Sequence, residues 1–127
     1  MGEKPTDKPF IPKVELTSRK KKNYIQANGT GVNVDIADNW KDIATHTTDA
    51  NRFGFVTDCL ASANGDGQFR LRVGANNKFT FFYAARAKEH LQFRLPIFVG
   101  KSIAINLQFK ADVDATKVSG WLYGFEK

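Results

Sequence analysis

Three side chains in this 127-residue sequence could take part in covalent catalysis: Cys59, His46 and His90. A thiol next to an imidazole can become a nucleophile, because the imidazole accepts the thiol proton. Neither histidine is near Cys59 in the sequence, however, and no catalytic motif surrounds the cysteine. We therefore expect Cys59 to be a small core residue and both histidines to occupy surface or turn positions. The sequence predicts no catalytic site and no enzymatic activity.

The sequence also predicts no metal or cofactor site. The single cysteine excludes an internal disulfide and a cysteine-rich metal centre, and it fits a reducing compartment. Asp35 with Asp38, and Asp112 with Asp114, could offer carboxylates to calcium from loops. Neither pair has the spacing or the acidic density of a calcium loop, so solvated turn residues are the better interpretation. The glycine-containing turns lack the rest of a phosphate-binding fingerprint.

Most of the excess positive charge lies in the first 22 residues. They contain seven basic and three acidic side chains, which supply four of the six net positive charges, and three of the four prolines. Such a segment buries too little apolar surface to offset the entropy of its own ordering. We therefore assign residues 1–30 to an extended basic arm that docks on a partner. Its expected contacts are four apolar anchors, Phe10, Ile11, Val14 and Leu16, and four cations that pair with acidic or phosphate groups, Arg19, Lys20, Lys21 and Lys22.

Residues 31–127 read as a series of short strands. In 68–73 and 102–110, apolar and polar residues alternate with the period of two that marks a half-buried strand, which would turn Ile103 inward. Pro96 favours an edge strand or a bend. The last strand, 117–125, should pair in the middle of the domain, because Gly120 and Gly124 suit a close backbone approach. Strands at this spacing, with Gly/Asn/Asp turns between them, predict an all-β fold, an antiparallel jelly-roll-like sandwich or a barrel.

Two groups of residues are candidates for ligand or partner surfaces. Arg70 and Arg72 precede a Phe-rich strand, and a β surface with cations and rings can bind single-stranded nucleic acid. The alternation favours the simpler interpretation that these arginines form the solvated face of a strand whose apolar residues are in the core. Trp40, Trp121 and Tyr123 could form an oligomer interface or a platform on which sugars stack.

The order of signals from 52 to 125 resembles that of a known group of proteins. It includes Leu95-Pro96-Ile97, Val99-Gly100-Lys101-Ser102-Ile103 and Val118-Ser119-Gly120-Trp121. This order resembles the small jelly-roll modules of tailed-bacteriophage virions, the capsid decoration or cement proteins. The resemblance implies a non-enzymatic subunit on the capsid surface that clamps neighbouring capsid proteins.

The resemblance also implies partners and a location. The partners would be the major capsid protein or another virion subunit, together with further copies of the chain in a homo-oligomer such as a trimer. The protein would be made in the host cytoplasm, in keeping with the lack of a signal peptide and of any apolar run long enough to span a membrane. Two alternatives stay open: a single-stranded nucleic-acid-binding module, and a carbohydrate-binding sandwich at a phage tail.

Overall fold

The computed structural model describes residues 23–83 and 88–127. These residues form eight β-strands and one short 3-10 turn at Ile36–Asp38. The strands are β1 (Tyr24–Val34), β2 (Trp40–Thr47), β3 (Gly54–Ala63), β4 (Gly67–Val73), β5 (Asn76–Tyr83), β6 (Lys88–Val99), β7 (Ala104–Ala111) and β8 (Thr116–Glu126).

The strands form two four-stranded antiparallel sheets that pack face to face. The first sheet has the order β1-β8-β3-β6, and the second sheet has the order β2-β7-β4-β5. Every strand pair is antiparallel. Eight strands divided in this way between two sheets make a jelly roll. The prediction of an all-β antiparallel sandwich is therefore confirmed.

The core lies between the sheets and is built by strand alternation. In β4, Phe69 and Leu71 are fully buried while Arg70 and Arg72 alternate with them. The Phe69 ring packs against Phe109 of β7, with 4.7 Å between ring centroids. The core contains these fully buried side chains of both sheets: Ile25, Val34, Val56, Cys59, Phe69, Leu71, Val99, Ile105, Leu107, Phe109, Val118 and Leu122.

The last strand is central, as the sequence predicted. β8 pairs with β1 on one side and with β3 on the other. Gly120 lies on the core side of this strand, where an added Cβ would be 2.6 Å from Cδ2 of Leu107 in the second sheet. The absence of a side chain at this position therefore allows the two sheets to approach closely.

Two sequence-based expectations need correction, and a third, the edge strand at Pro96, is confirmed. The sandwich begins at Tyr24 rather than at residue 31, because residues 24–29 pair with β8. Ile103 precedes β7 and is 37% exposed instead of facing inward. β6 is indeed an edge strand, but it continues past Pro96, and residues 93–96 bulge out of the ladder opposite Thr57. The eight predicted contact residues of the arm, between Phe10 and Lys22, lie outside the described residues.

No helix in the described part of the chain has the length and apolar character needed to cross a membrane.

Candidate interaction surfaces

The three residues with catalytic potential do not form a catalytic pair. Cys59 is fully buried in the core, and burial, followed by the charge of Asp58, raises the pKa of its thiol to about 12. The imidazole of His90 lies 2.8 Å from a carboxylate oxygen of Asp58, measured from Nε2 to Oδ2. Nε2 of His46 contacts Glu126 of the opposite sheet. Cys59 is a core residue as expected. Both histidines lie in strands, where His90 is exposed and His46 is half-buried.

The aspartates of the loops hold the chain together. Oδ1 of Asp35 accepts a hydrogen bond from the backbone N–H of Ala115 at 2.8 Å, and Oδ1 of Asp114 accepts one from Ile36 at 2.9 Å. Oδ2 of Asp38 accepts a bond from the N–H of Asp35. These carboxylates therefore tie the 3-10 turn to the loop before β8. The described residues contain no group of three or more His, Cys, Asp or Glu side chains placed to hold a metal ion.

The outer side of the first sheet carries a row of aromatic residues at one end of the sandwich. Tyr24, Phe125, Phe55 and Phe98 are in register across its four strands. The rings of Phe55 and Phe125 are nearly parallel, with centroids 5.2 Å apart, and Phe98 approaches Phe55 edge-on at 5.8 Å. Phe53 extends the series, 5.2 Å from Phe98. We call these five residues the aromatic row.

The aromatic row is open to solvent. Tyr24 is 48% exposed, Phe98 53% and Phe53 40%, and Leu95 in the neighbouring β6 bulge is 84% exposed. The ammonium group of Lys101 lies 4.8 Å from the centroid of the Phe53 ring. An exposed series of rings with a charged rim is typical of a binding surface rather than of chance exposure.

Trp121 and Tyr123 lie on the same outer side as the aromatic row. Tyr123 is in register with Asp58, and Trp121 with Leu60. Trp40 belongs to β2, on the outer side of the second sheet, where it contacts Arg70. The three residues that the sequence analysis grouped as one surface therefore occupy two surfaces on opposite sides of the sandwich. The aromatic row could not be predicted from the sequence, because its five residues come from four strands and a loop that are distant in the chain.

A cavity of about 490 Å³ opens at the bulge of β6, in the same sheet as the aromatic row. Thr57, Asp58, Gln92, Phe93 and Arg94 line it. Within it, Thr57 donates a hydrogen bond of 2.7 Å to the carboxylate of Asp58, which also contacts His90. Hydroxyl, carboxylate, amide and guanidinium groups therefore meet next to an aromatic surface.

The outer side of the second sheet contains a connected polar chain. Nε of Arg70 donates to Oε1 of Gln108 at 2.7 Å, and Nε2 of Gln108 donates to Asp42, also at 2.7 Å. Cζ of Arg70 lies 4.1 Å from the centroid of the Trp40 ring. Because Gln108 lies under these neighbours, only 7% of it is exposed. We call Trp40, Asp42, Gln108 and the two arginines Arg70 and Arg72 the arginine face.

Arg72 is the irregular member of the arginine face. Its Nε is buried and has no hydrogen-bond partner among the described residues. Asn106 is opposite Arg72 in the ladder, but its amide oxygen accepts a hydrogen bond of 2.7 Å from Thr45. Burial, followed by the charge of Arg72, lowers the pKa of Arg70. Two like charges therefore lie close together, and one of them has an unused donor.

No family model, no curated protein and no solved structure matches this chain. The aromatic row and the arginine face are therefore the observations on which a function can be based.

Proposed function

We propose that this protein is a non-enzymatic structural subunit of a virion, which associates with further copies of itself through the aromatic row. The carrying observation is that row: four phenylalanine rings in contact and Tyr24 in register with Phe125, on one outer side of the sandwich. Three of these five residues are 40–53% exposed. Rings of this kind gain free energy when a partner removes them from water, and aromatic residues are enriched in the cores of protein interfaces.

The area of the row also supports a role for the arm. A stable interface buries about 800 Å² on each partner. The exposed parts of Tyr24, Phe53, Phe98 and Leu95 amount to on the order of 400 Å², given that a large ring has about 150–250 Å². The row together with Leu95 therefore offers roughly half of a stable interface. β1 begins at Tyr24, which is itself in the row, and under this proposal the arm that precedes it in the sequence contributes the remaining contact area.

The jelly-roll order of the strands supports a structural role as well. Jelly rolls occur in viral capsid domains, in lectins and in cupins. A fold of this kind does not specify a function, so the proposal depends on the surface. Under this proposal the aromatic row binds a second copy of the chain, and the arm binds a neighbouring shell protein such as the major capsid protein.

The proposal is tested by the mass of the full-length chain in solution. Sedimentation velocity should show an oligomer at micromolar concentration. The double variant Phe53→Ser/Phe98→Ser removes two exposed rings and should sediment as a monomer at the same concentration. Circular dichroism should show the strand content of the unchanged protein, because neither side chain belongs to the buried core.

A matched control uses the opposite end of the sandwich. Ile36 and Val113 are 54% and 57% exposed, and Ile36→Ser/Val113→Ser removes a comparable apolar area there. This control should retain the mass of the unchanged protein. A monomeric unchanged protein, or equal dissociation of both double variants, would contradict the assembly role of the aromatic row.

Carbohydrate binding is a second candidate, favoured by the cavity at the β6 bulge. Trp121 and Tyr123 provide rings on the same sheet side, and Asp58 and Gln92 provide the carboxylate and amide groups with which proteins hydrogen-bond sugar hydroxyls. A glycan array with the full-length protein tests this candidate. Binding to a defined glycan that is lost in both Trp121→Ala and Asp58→Asn would support it, and an array without any bound glycan would contradict it.

A further inference from the structure

The two sheets differ in charge. The strands of the second sheet contain five basic residues and one acidic residue: Lys41, Arg70, Arg72, Lys78 and Lys110 against Asp42. Those of the first sheet contain three basic and three acidic residues: Lys88, Arg94 and Lys117 against Asp58, Glu89 and Glu126. The positive charge of the sandwich strands therefore belongs to the second sheet, whose outer side is the arginine face. Lys41 is not part of that outer side, because it is in register with the buried Phe109 and donates to the backbone oxygen of Asn33 in the first sheet.

The geometry of the arginine face indicates an unfilled demand for an anion. Arg70 and Arg72 are two residues apart on the same side of β4, so their Cα atoms are about 7 Å apart. Asp42 is the only carboxylate in the strands of this sheet, and it already accepts a hydrogen bond from Gln108. The Nε of Arg72 has no acceptor within the described residues. A buried donor without an acceptor is costly, so no local hydrogen bond from Nε fixes this guanidinium group. Arg72 as a whole is half-buried, so an anion would reach the terminal nitrogens of the guanidinium group rather than Nε.

We propose that the arginine face binds the phosphate groups of single-stranded nucleic acid. Guanidinium groups match phosphate oxygens in a two-pronged geometry, which makes arginine well suited to this ligand. Bases stack on aromatic rings and on guanidinium planes, and Trp40 and Arg70 provide one of each on this surface. An acidic protein would satisfy the charge but would make no use of the ring. This inference is independent of the assembly role proposed for the aromatic row.

The arrangement assigns different tasks to the two arginines. Arg70 is held in place by Gln108 and by the Trp40 ring, so it presents its charge in a fixed position. Arg72 has no such hydrogen bond from Nε, so its half-buried guanidinium group is free to turn its terminal nitrogens towards a ligand. Lys110 lies opposite Gln68 in the neighbouring row and adds a third, exposed cation along the sheet. A strand of nucleic acid that crosses β4 and β7 would therefore meet cations in successive rows.

The test measures the fluorescence anisotropy of a labelled oligothymidylate over a series of salt concentrations. The oligothymidylate is longer than about 16 nucleotides, the upper end of what one such module covers. The full-length chain is compared with Arg70→Gln/Arg72→Gln. Each lost phosphate contact reduces the slope of log K against log salt by about 0.7 for a single strand, so the double variant should lose about 1.4 units of slope. Its affinity at low salt should fall at least about tenfold, as expected from the loss of two phosphate contacts.

The control Arg94→Gln/Lys117→Gln removes the same charge from the first sheet and should leave the slope unchanged. It also leaves the basic arm intact, as the test variant does, so binding through the arm is common to all three proteins. If the double variant fails to fold, Arg72→Gln alone serves, because its Nε makes no hydrogen bond that holds the fold. This single variant should lose about 0.7 units of slope.

Two results would overturn the proposal. One is an unchanged slope and affinity in the folded arginine variants, which would assign any binding to the arm. The other is competition by polyglutamate that equals competition by unlabelled oligothymidylate at the same charge concentration. That result would indicate an acidic protein surface as the ligand rather than nucleic acid.

Discussion

The same substitution at two positions of β4 should have opposite effects on stability. Arg70 and Arg72 are on one strand, on one side of one sheet, and two residues apart. Arg70 has a hydrogen bond from Nε to Gln108 and a contact with Trp40, whereas Nε of Arg72 has no partner in the described structure. Methionine keeps a long flexible apolar side chain without any donor. We therefore predict that Arg72→Met stabilises the sandwich and that Arg70→Met destabilises it.

The expected gain for Arg72→Met follows from the unpaired donor. A buried polar group without a partner costs about 1–3 kcal/mol, and partial exposure of the rest of the side chain favours the lower end. We expect the free energy of unfolding to rise by about 1 kcal/mol, which would raise the melting temperature by about 4 °C in a domain of this size. The substitution should also remove the repulsion between Arg72 and Arg70.

The expected loss for Arg70→Met follows from the two contacts that it removes. A hydrogen bond to a charged group contributes about 1.5–3 kcal/mol and a partly exposed cation–π contact about 0.5–1 kcal/mol. The substitution also leaves Oε1 of Gln108, a 7% exposed residue, without its donor. We expect the free energy of unfolding to fall by about 2 kcal/mol after the relief of repulsion with Arg72 is included. That relief is common to both variants and cancels when they are compared.

Urea unfolding of the full-length proteins, followed by far-ultraviolet circular dichroism, measures both changes. Tryptophan fluorescence is unsuitable because Trp40 contacts Arg70 directly. If Arg72→Met lowered the free energy of unfolding by more than about 1 kcal/mol, Nε of Arg72 would have to be hydrogen-bonded in solution. An unpaired buried donor costs at least about 1 kcal/mol, so its removal should not destabilise the protein. Equal effects of both substitutions would refute the distinction between a held and an unpaired guanidinium group.

Three further predictions concern the core cysteine, a glycine at the start of β4 and the arm. Burial and then the charge of Asp58 raise the pKa of Cys59 to about 12, so the folded state keeps a protonated thiol. The resulting stability is complete below the ordinary thiol pKa and is lost as the pH rises from there towards about 12. At mildly alkaline pH a thiol reagent should modify Cys59 at the rate of unfolding, and fast modification of the native protein would contradict its burial. Gly67→Ala should destabilise the protein by about 1–3 kcal/mol in urea unfolding, since its Cβ would collide with the Phe109 ring, and more than Gly31→Ala, whose cost is confined to a positive φ of 61°. Deletion of residues 1–22 should leave the far-ultraviolet dichroism of the sandwich unchanged and abolish binding to isolated shells, and shell binding at full affinity would refute the docking role of the arm.

Local alternation in the sequence was enough to predict which residues of several strands face the core. Phe69, Leu71, Ile105, Leu107 and Phe109 are all fully buried, as the period of two indicated. The two-residue period is a property of each strand by itself, so it needs no knowledge of the partner strand. The prediction of Ile103 was wrong because the residue precedes the first residue of β7, where the period no longer applies.

The arrangement of the outer surfaces depended on information that is not local. The aromatic row joins the first residue of β1 to residues of β3, β6 and β8 and the loop before β3, and its formation requires the register between these strands. The same limit explains the division of Trp40 from Trp121 and Tyr123. All three are aromatic residues in strands, but β2, which holds Trp40, belongs to the second sheet, and β8, which holds Trp121 and Tyr123, belongs to the first.

This division of strands also explains why the charge pattern of the sequence was hard to interpret. Along residues 23–127 basic and acidic residues are nearly balanced, with twelve against ten. The four strands of the second sheet nevertheless carry five basic residues and one acidic residue. The fold therefore converts a nearly neutral sequence into a sandwich with one basic sheet and one neutral sheet, and the neutral sheet carries the aromatic row. A polyanion and an apolar protein surface would consequently be bound on opposite sides of the same domain, without competition between the two ligands for space.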